Sequence, residues 1–259
     1  MPKVNFTDAL QTEYADLYNR CEVNESKFSA VDEIVDRILA NQNRYEVVSA
    51  GTGAPWYFIA AVHNMESSQR FDRHLHNGDR LSARTVQVPA GRPINGEPPF
   101  TWEESAQDAL SLRKIDQVDE WSVSRLLYEL EGYNGWGYRL YHSHVKSPYL
   151  WSFSNHYSSG KYIADGTWSD TATSKQCGAA VIIRRLEERA EMNVLTDSTI
   201  QTPVLKYADQ AIDRGADLQR FLNTFDNISL RVDGWPGERT SDAMKKVFGF
   251  YLNGDPRYQ

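Results

Sequence analysis

Residues 55–71 of this chain, PWYFIAAVHNMESSQRF, place a single carboxylate at the end of an apolar segment. Nearly every position from 56 to 65 is apolar or aromatic, which predicts a helix buried on all sides rather than an amphipathic surface helix. Glu66 follows Ile59 by seven residues and His63 by three, so the three share one helical face. Burial and the negative end of the helix dipole both disfavour an ionised carboxylate there. We therefore expect the pKa of Glu66 to be raised.

A protonated carboxylic acid near neutral pH suits the cleavage of a glycosidic bond, because the leaving oxygen must receive a proton. The next segment, HLHNGDRLSARTVQVPAG, offers an Asn-Gly turn, then Asp79, then the strand-like run Thr85–Pro89. This order predicts a β-hairpin lobe near residues 72–100, with Asp79 and Thr85 holding a water across a cleft from Glu66. Two simpler interpretations stay open: Glu66 pairs with Arg70 in solvent, and Asp79 only binds backbone amides of its turn.

The remaining pattern is mainly helical. Helices are predicted over 5–20 and 28–44, and Thr101 with Glu104 forms the order of a capping box at the start of another. A helical series continues to Gly132, and a long helix is predicted from about 172 to 191. Residues 193–203 are polar and are interpreted as a linker between two domains, 1–195 and 204–259.

The run IAAVHNMESSQRF resembles the catalytic helix of the lysozyme superfamily, which includes goose-type and phage-type lysozymes and lytic transglycosylases. The resemblance implies that Glu66 is the general acid. The order Glu66, Asp79, Thr85 is similar to the catalytic set of phage-type lysozymes, although the spacing here is longer. A further run, EGYNGWGY, looks like the element that lies on the floor of the sugar cleft in goose-type enzymes, and it maps to Tyr133, Asn134 and Gly135.

Residues 138–168 contain many aromatic side chains among Ser, His and Gly, without a helical period. Aromatic rings stack on sugar faces, but they also contribute strongly to core packing, so both interpretations are open. From this run we take Trp151 and Tyr157 as candidate sugar-binding residues, together with His63 on the apolar helix.

The segment LQRFLNTFDNISLRVDGWPGERTSDAMKKVF resembles a small three-helix peptidoglycan-binding module with a VDGxxGxxT turn. The positions that fit its pattern are Leu218, Leu222, Asn223, Leu230, Val232, Asp233, Gly234, Gly237, Thr240, Ala243 and Phe248. The resemblance implies wall binding through Asp233, Gly234 and Trp235. The alternative is a helix connector that packs without binding anything.

Composition and charge argue against several classes of partner and location. A net charge of −7 argues against nucleic acid as a partner. No apolar run reaches the length of a membrane span, and the N-terminal sequence lacks a signal-peptide pattern, so we expect synthesis in the cytoplasm and delivery to the cell wall by another agent, as for a phage endolysin. A monomer is expected. Cys21 and Cys177 are predicted to be buried free thiols.

A metal site could be drawn from His63, Glu66, His74, His76 and Asp79. Their spacing matches no zinc signature, and the two later histidines are better explained as hydrogen-bonding groups of the loop. No cofactor and no metal are therefore predicted. A GxSxG or SxxK nucleophile is also missing from the sequence, which gives a peptidase or amidase little support.

Taken together, the residues and the resemblance predict a mainly α (α+β) protein, a lysozyme-like helical domain with a small β-hairpin lobe and a three-helix C-terminal module. The implied activity is that of a muramidase, which cleaves the β-1,4 bond between N-acetylmuramic acid and N-acetylglucosamine in peptidoglycan, with inversion if Asp79 activates water. A lytic transglycosylase, a chitinase-like enzyme and a noncatalytic wall-binding protein remain alternatives.

Overall fold

The computed structural model describes residues 4–164, 166–190, 205–212 and 214–257. The chain divides into two compact units, Met1–Ser198 and Thr199–Gln259. The predicted linker at 193–203 lies outside the described residues. The described residues form eleven α-helices and one small antiparallel sheet, so the predicted mainly helical fold with a small β-hairpin is confirmed.

The described residues of the first unit form nine α-helices. In chain order they are α1 (Asp8–Asn19), α2 (Phe28–Ala40), α3 (Gln42–Thr52), α4 (Trp56–Ser67), α5 (Trp102–Leu112), α6 (Val123–Asn134), α7 (Gly137–Tyr141), α8 (Pro148–Trp151) and α9 (Ala179–Ala190). Two short 3-10 turns lie at Glu25–Lys27 and Ile115–Gln117.

Helix α4 is the centre of this unit. It packs against α3, α6 and α9, and it buries a continuous run of residues: Tyr57, Phe58, Ile59, Ala60, Ala61, Val62, His63 and Asn64. Each large apolar side chain buried in this way contributes about 1.5 to 3 kcal/mol relative to an exposed one. The helix ends at Ser68, whose left-handed conformation (φ 52°) turns the chain directly after Glu66 and Ser67.

Several helix starts follow from local sequence. The Thr101 hydroxyl accepts a hydrogen bond from the Glu104 amide, and the Glu104 carboxylate accepts one from the Thr101 amide, which completes the predicted capping box of α5. Ser122 caps α6 in the same way, by accepting from the amide of Arg125. Such caps satisfy amides that have no partner within the helix.

Two predicted helix boundaries are wrong. The helix expected over 28–44 ends at Ala40, and a separate helix, α3, begins at Gln42. The helix expected from 172 begins only at Ala179. Tertiary contacts hold the preceding residues: the Gly178 amide donates to the carbonyl of Ser152 at 2.9 Å, and the backbone of Leu150 lies so close to Gly178 that a Cβ atom would collide with it. The chain before it instead runs in an irregular path past the end of α4.

The predicted position of the hairpin is also wrong. Residues 72–100 contain only an isolated bridge between Arg73 and Arg80. Pro89 and Pro93 have no amide to give to a strand ladder, and Thr85 closes a loop instead, because its amide donates to the carbonyl of Arg92. The sheet lies further on, where β1 (Lys161–Ala164) pairs antiparallel with β2 (Thr167–Ser169).

The second unit is described by itself. It contains α10 (Gly215–Leu222) and α11 (Glu238–Phe248), which pack around Leu218, Leu222, Ala243 and Leu252. These two are the α-helices that its described residues form, where the resemblance implied three. Gln219 of α10 holds the turn that joins them. Its side-chain oxygen, Oε1, accepts hydrogen bonds from the backbone amides of Asp233 and Gly234.

Both cysteines are buried and free, as predicted. Within the described ranges, the helices are too short or too polar to cross a membrane.

Candidate functional site

Glu66 lies at the C-terminal end of α4 and is half-buried. The phenol of Tyr149, on α8, donates a hydrogen bond to its Oε1 atom at 3.0 Å. Tyr133, near the end of α6, is buried beside Glu66, and its pKa is raised by burial first and by the Glu66 charge second. The guanidinium of Arg113 lies 4.7 Å from the centre of the Tyr133 ring. Four segments of the first unit therefore meet around this carboxylate.

The electrostatics of the site favour the neutral acid. Burial raises the pKa of Glu66, while the Tyr149 hydrogen bond and the positive charge of Arg113 lower it by smaller amounts. The net direction is upward. None of the ion pairs between described residues involves Glu66, so no cation at contact distance holds it ionised. Such a carboxyl can keep its proton at a pH where an ordinary glutamate has lost it.

A cleft of about 570 Å³ opens beside this group. Met65, the chain neighbour of Glu66, and Tyr149, its hydrogen-bond partner, both line it. Asn134 and Gly135, which were predicted on the floor of a sugar cleft, line it as well. Its volume is in the range of sites that bind small molecules or a short stretch of polymer.

The hairpin of β1 and β2 forms another wall of the cleft through Lys161, Tyr162 and Ala164. The segment after the hairpin contributes Ser174 and Gln176. The side-chain amide of Gln176 donates a hydrogen bond to the backbone carbonyl of Met65 at 2.8 Å. This bond satisfies one of the carbonyls at the end of α4 that have no partner within the helix. The small sheet, although misplaced by the sequence argument, thus belongs to the candidate site.

Asp79 is held by its own loop. Its Oδ2 atom accepts hydrogen bonds from the amides of Val86 and Gln87 at 2.8 and 3.0 Å. These bonds lower the pKa of Asp79, which is half-buried. This geometry is the simpler of the two interpretations given for Asp79, and its role in activating water stays a prediction without support from a contact to Glu66.

Thr85 is buried, and its hydroxyl is fully used within the same loop. It donates to the carbonyl of Pro89 at 2.5 Å and accepts from the amide of Arg92 at 2.9 Å. A hydroxyl that already has both a donor and an acceptor is poorly placed to hold a water. The geometry therefore explains Thr85 as a residue that closes the loop.

Three predicted sugar-binding residues lie away from the cleft surface. His63 is enclosed, with its Nδ1 3.1 Å from the Tyr45 hydroxyl, and burial lowers its pKa to about 4. Trp151 is 1% exposed and packs edge-on against His156. Tyr157 is buried, and its hydroxyl accepts from the amide of Ser174, so it supports the cleft wall from behind. Tyr133 likewise lies under Glu66 rather than on the cleft surface.

The histidines drawn earlier as a possible metal site serve other contacts. His74 contacts the Ser105 hydroxyl and the carbonyl of Ala83, each at 2.8 Å, and His76 contacts Asp108 at 2.8 Å. Among the described residues, no group of three His, Cys, Asp or Glu side chains is arranged to hold a metal ion.

In the second unit, Asp233, Gly234 and Trp235 form a tight turn. Gly234 has φ 76°, a conformation that favours glycine, and the Asp233 carboxylate accepts from the amide of Trp235 at 3.0 Å. Asp233 and Trp235 line a pocket of about 430 Å³ with α10 and α11 residues. These residues therefore share a tight turn beside a pocket, and binding by them stays a prediction.

The site residues predicted from the sequence do not include Tyr149, Lys161, Gln176 and Arg113. Tyr149 stood in the aromatic run but could not be distinguished there from core tyrosines. Comparisons of the chain with protein-family models, with curated proteins and with solved structures find no match. A proposal about function therefore has to stand on the chemistry of this site.

Proposed function

We propose that this protein cleaves the β-1,4 glycosidic bond of peptidoglycan, between N-acetylmuramic acid and N-acetylglucosamine, with Glu66 as the general acid. The observation that carries the proposal is the raised pKa of a half-buried carboxyl whose chain neighbour Met65 and hydrogen-bond partner Tyr149 line a cleft of about 570 Å³. The resemblance of the α4 sequence to the catalytic helix of the lysozyme superfamily agrees with this role and specifies the sugar polymer.

Proton transfer follows from the geometry of Glu66. Because Tyr149 donates to Oε1, the proton of the neutral acid resides on Oε2, and that atom donates it to the leaving oxygen as the bond breaks. The carboxylate that results is then stabilised by the Tyr149 hydroxyl and by the charge of Arg113. The site thus favours the neutral form before the step and retains a donor for the ionised form after it.

The second half of the reaction has two candidate routes. In hydrolysis with inversion, a second carboxylate activates water, and Asp79 is the residue predicted for that task. In the lytic transglycosylase route, a hydroxyl of the substrate itself attacks and no second carboxylate is needed. The bonds of Asp79 to Val86 and Gln87 favour the second route, because they hold this carboxylate within its own loop.

Mass analysis of fragments released from purified sacculi tests the proposal. Hydrolysis yields reducing ends, whereas transglycosylation yields anhydro ends that are lighter by one water. Release of neither product by the folded protein would refute the proposal and favour a noncatalytic wall-binding protein. Release of fragments from chitin alone would reassign the substrate.

Glu66→Gln tests the residue. The amide has the same shape and no proton to donate, so turnover should fall by about 10² to 10⁴, the usual contribution of general acid catalysis. Glu46→Gln is the matched control, because Glu46 is an exposed glutamate of α3. A Glu66→Gln protein within threefold of the parent would remove Glu66 from the mechanism.

A further inference from the structure

Lys161 is the one charged residue among the described residues that line the cleft. It begins strand β1 and pairs with Ser169 on β2. Its other described neighbours on the cleft wall are neutral, among them Asn134, Tyr162 and Gln176. Within the described part of the chain, its ammonium takes part in no ion pair. A cation that the described residues leave without an anionic partner, at the wall of an open cleft, is available to a ligand.

The hairpin that carries Lys161 is firmly packed. The Tyr162 ring meets the Tyr138 ring edge-on at 5.4 Å, and the Trp168 ring stacks on His142 at 3.5 Å with an angle of 7° between the rings. Tyr162 and Trp168 also contact each other across the two strands at 5.2 Å. This aromatic cluster fixes the backbone of β1, so the lysine extends from a defined point on the cleft wall.

The charge of the cleft can distinguish between candidate polymers. Peptidoglycan carries carboxylates, either on its peptide stems or, where the peptide is removed, on the lactyl group of muramic acid. Chitin has the same linkage and N-acetyl groups but no carboxylate. A lysine ammonium binds a carboxylate through a charge-assisted hydrogen bond, and it gains nothing comparable from a neutral sugar.

We propose that Lys161 binds a carboxylate of the substrate and makes the cleft selective for acidic amino-sugar polymers over neutral ones. The inference rests on the proposed function, because it deepens the specificity of the same cleft. Lys161 is a specificity-determining residue in this scheme and takes no part in proton transfer, which belongs to Glu66. Its effect is therefore expected in KM rather than in kcat.

The test compares three soluble substrates of similar length: peptide-bearing glycan strands, strands freed of peptide by an amidase, and glycol chitin. Lys161→Gln should raise KM about tenfold on the substrate whose carboxylate it binds, with kcat within about twofold, and leave glycol chitin kinetics unchanged. The first two substrates distinguish a peptide carboxylate from a lactyl carboxylate. Lys161→Arg should restore most of the loss, because it keeps the charge.

Lys175→Gln is the matched control. Lys175 is exposed, and it lies in sequence between the cleft residues Ser174 and Gln176 without lining the cleft itself. Its removal changes the net charge by the same amount, so an effect of overall charge would appear in both variants. Equal losses in the Lys161 and Lys175 variants, equal losses on charged and neutral substrates, or no loss at all would each overturn the inference.

Failure of the proposed function gives a different result. If the wild-type protein cleaves none of the three substrates, the proposed function is refuted, and the same fragments are then used in equilibrium binding measurements. Binding of the acidic fragments that weakens about tenfold in Lys161→Gln would support the role of Lys161 on its own. Equal binding by the two proteins, or no binding by the wild type, would overturn that role as well.

Discussion

Substitution of Tyr149 by phenylalanine removes one atom from the site and tests how the protein controls the pKa of Glu66. The Tyr149 hydroxyl donates to Oε1 of Glu66 at 3.0 Å, and this bond lowers the pKa of a group that burial raises. Tyr149→Phe should therefore move the pKa of Glu66 further up. Because the general acid must be protonated in the free enzyme, the alkaline limb of kcat/KM should move to higher pH.

The size of the effect can be expressed as the loss of stability when the Tyr149–Glu66 hydrogen bond is removed. A hydrogen bond to a charged group contributes about 1.5 to 3 kcal/mol, against about 0.5 to 1.5 for a neutral pair. Glu66 is half-buried, so we take the lower ends, and Tyr149→Phe should lose about 1 kcal/mol more when Glu66 is ionised than when it is neutral. For a chain of this size, that difference is about 2 to 4 °C in Tm.

The sign of the pH dependence follows from the same pKa. With a raised pKa in the folded state, the folded protein binds more protons than the unfolded chain between the two pKa values, so stability falls as pH rises through that window. The deficit of Tyr149→Phe should accordingly be small at low pH and larger above the pKa of folded Glu66. Melting curves and pH–rate profiles on one preparation measure both effects.

Glu66→Gln provides the background for a double-mutant cycle. In that background Glu66 no longer titrates, so the stability cost of Tyr149→Phe should become independent of pH. An alkaline limb that stays in place or moves to lower pH would refute the reasoning, as would an equal stability loss at low and high pH.

Three further substitutions test other parts of the structure. Asp79→Asn should keep turnover within about threefold and lower Tm by no more than about 2 to 4 °C, because the amide oxygen can still accept from Val86 and Gln87; a heavy loss of turnover at unchanged Tm would restore Asp79 as the water-activating base. Glu131→Gln should destabilise the first unit by about 1 to 3 kcal/mol in denaturant unfolding, since the buried side chain loses its charge-assisted bonds to Arg139 while Arg139 keeps its ion pair with Glu13; an unchanged unfolding free energy would contradict this. Trp235→Leu should weaken pelleting with sacculi about tenfold and spare turnover on soluble fragments, as expected of a separate anchor; losses of both in parallel would make the module structural.

The parts of the fold that sequence predicted correctly are those encoded locally. The apolar run before Glu66 contains its own evidence for burial, and the capping box of Thr101 and Glu104 needs only four residues. The direction of the Glu66 pKa follows from the same segment, because burial is its main cause. Such features need no knowledge of which distant segments pack together.

The hairpin shows the opposite case. Thr85–Pro89 alternates like a strand, but its hydrogen bonds are taken by Asp79, by Arg92 and within the loop itself. The observed strands lie in the aromatic run, where the sequence YIADGTW offers an Asp-Gly pair, the strongest short-range signal for a hairpin. The Asp-Gly pair is thus a sequence signal for the observed hairpin, which a search for helical periodicity alone does not detect.

Tyr149 and Lys161 could not have been predicted as residues of the site in this way. Tyr149 is 83 residues further along the chain, and Lys161 belongs to the misplaced hairpin. Nothing in their local sequence separates them from the other tyrosines and lysines of this chain. They become part of a site only because α6, α8 and the hairpin pack around the end of α4.

A comparison of two enclosed glutamates explains why the site lies at Glu66. Glu131 is more deeply buried, but the guanidinium of Arg139 meets it at 2.9 Å and the hydroxyl of Tyr14 donates to it, so its charge is compensated. Glu66 receives a neutral donor, Tyr149, and no ion pair from the described residues. A compensated carboxylate of this kind stabilises the fold. Burial raises the pKa of Glu66, and its chain neighbour Met65 and its hydrogen-bond partner Tyr149 line a cleft, which is the arrangement that the proposed general acid requires.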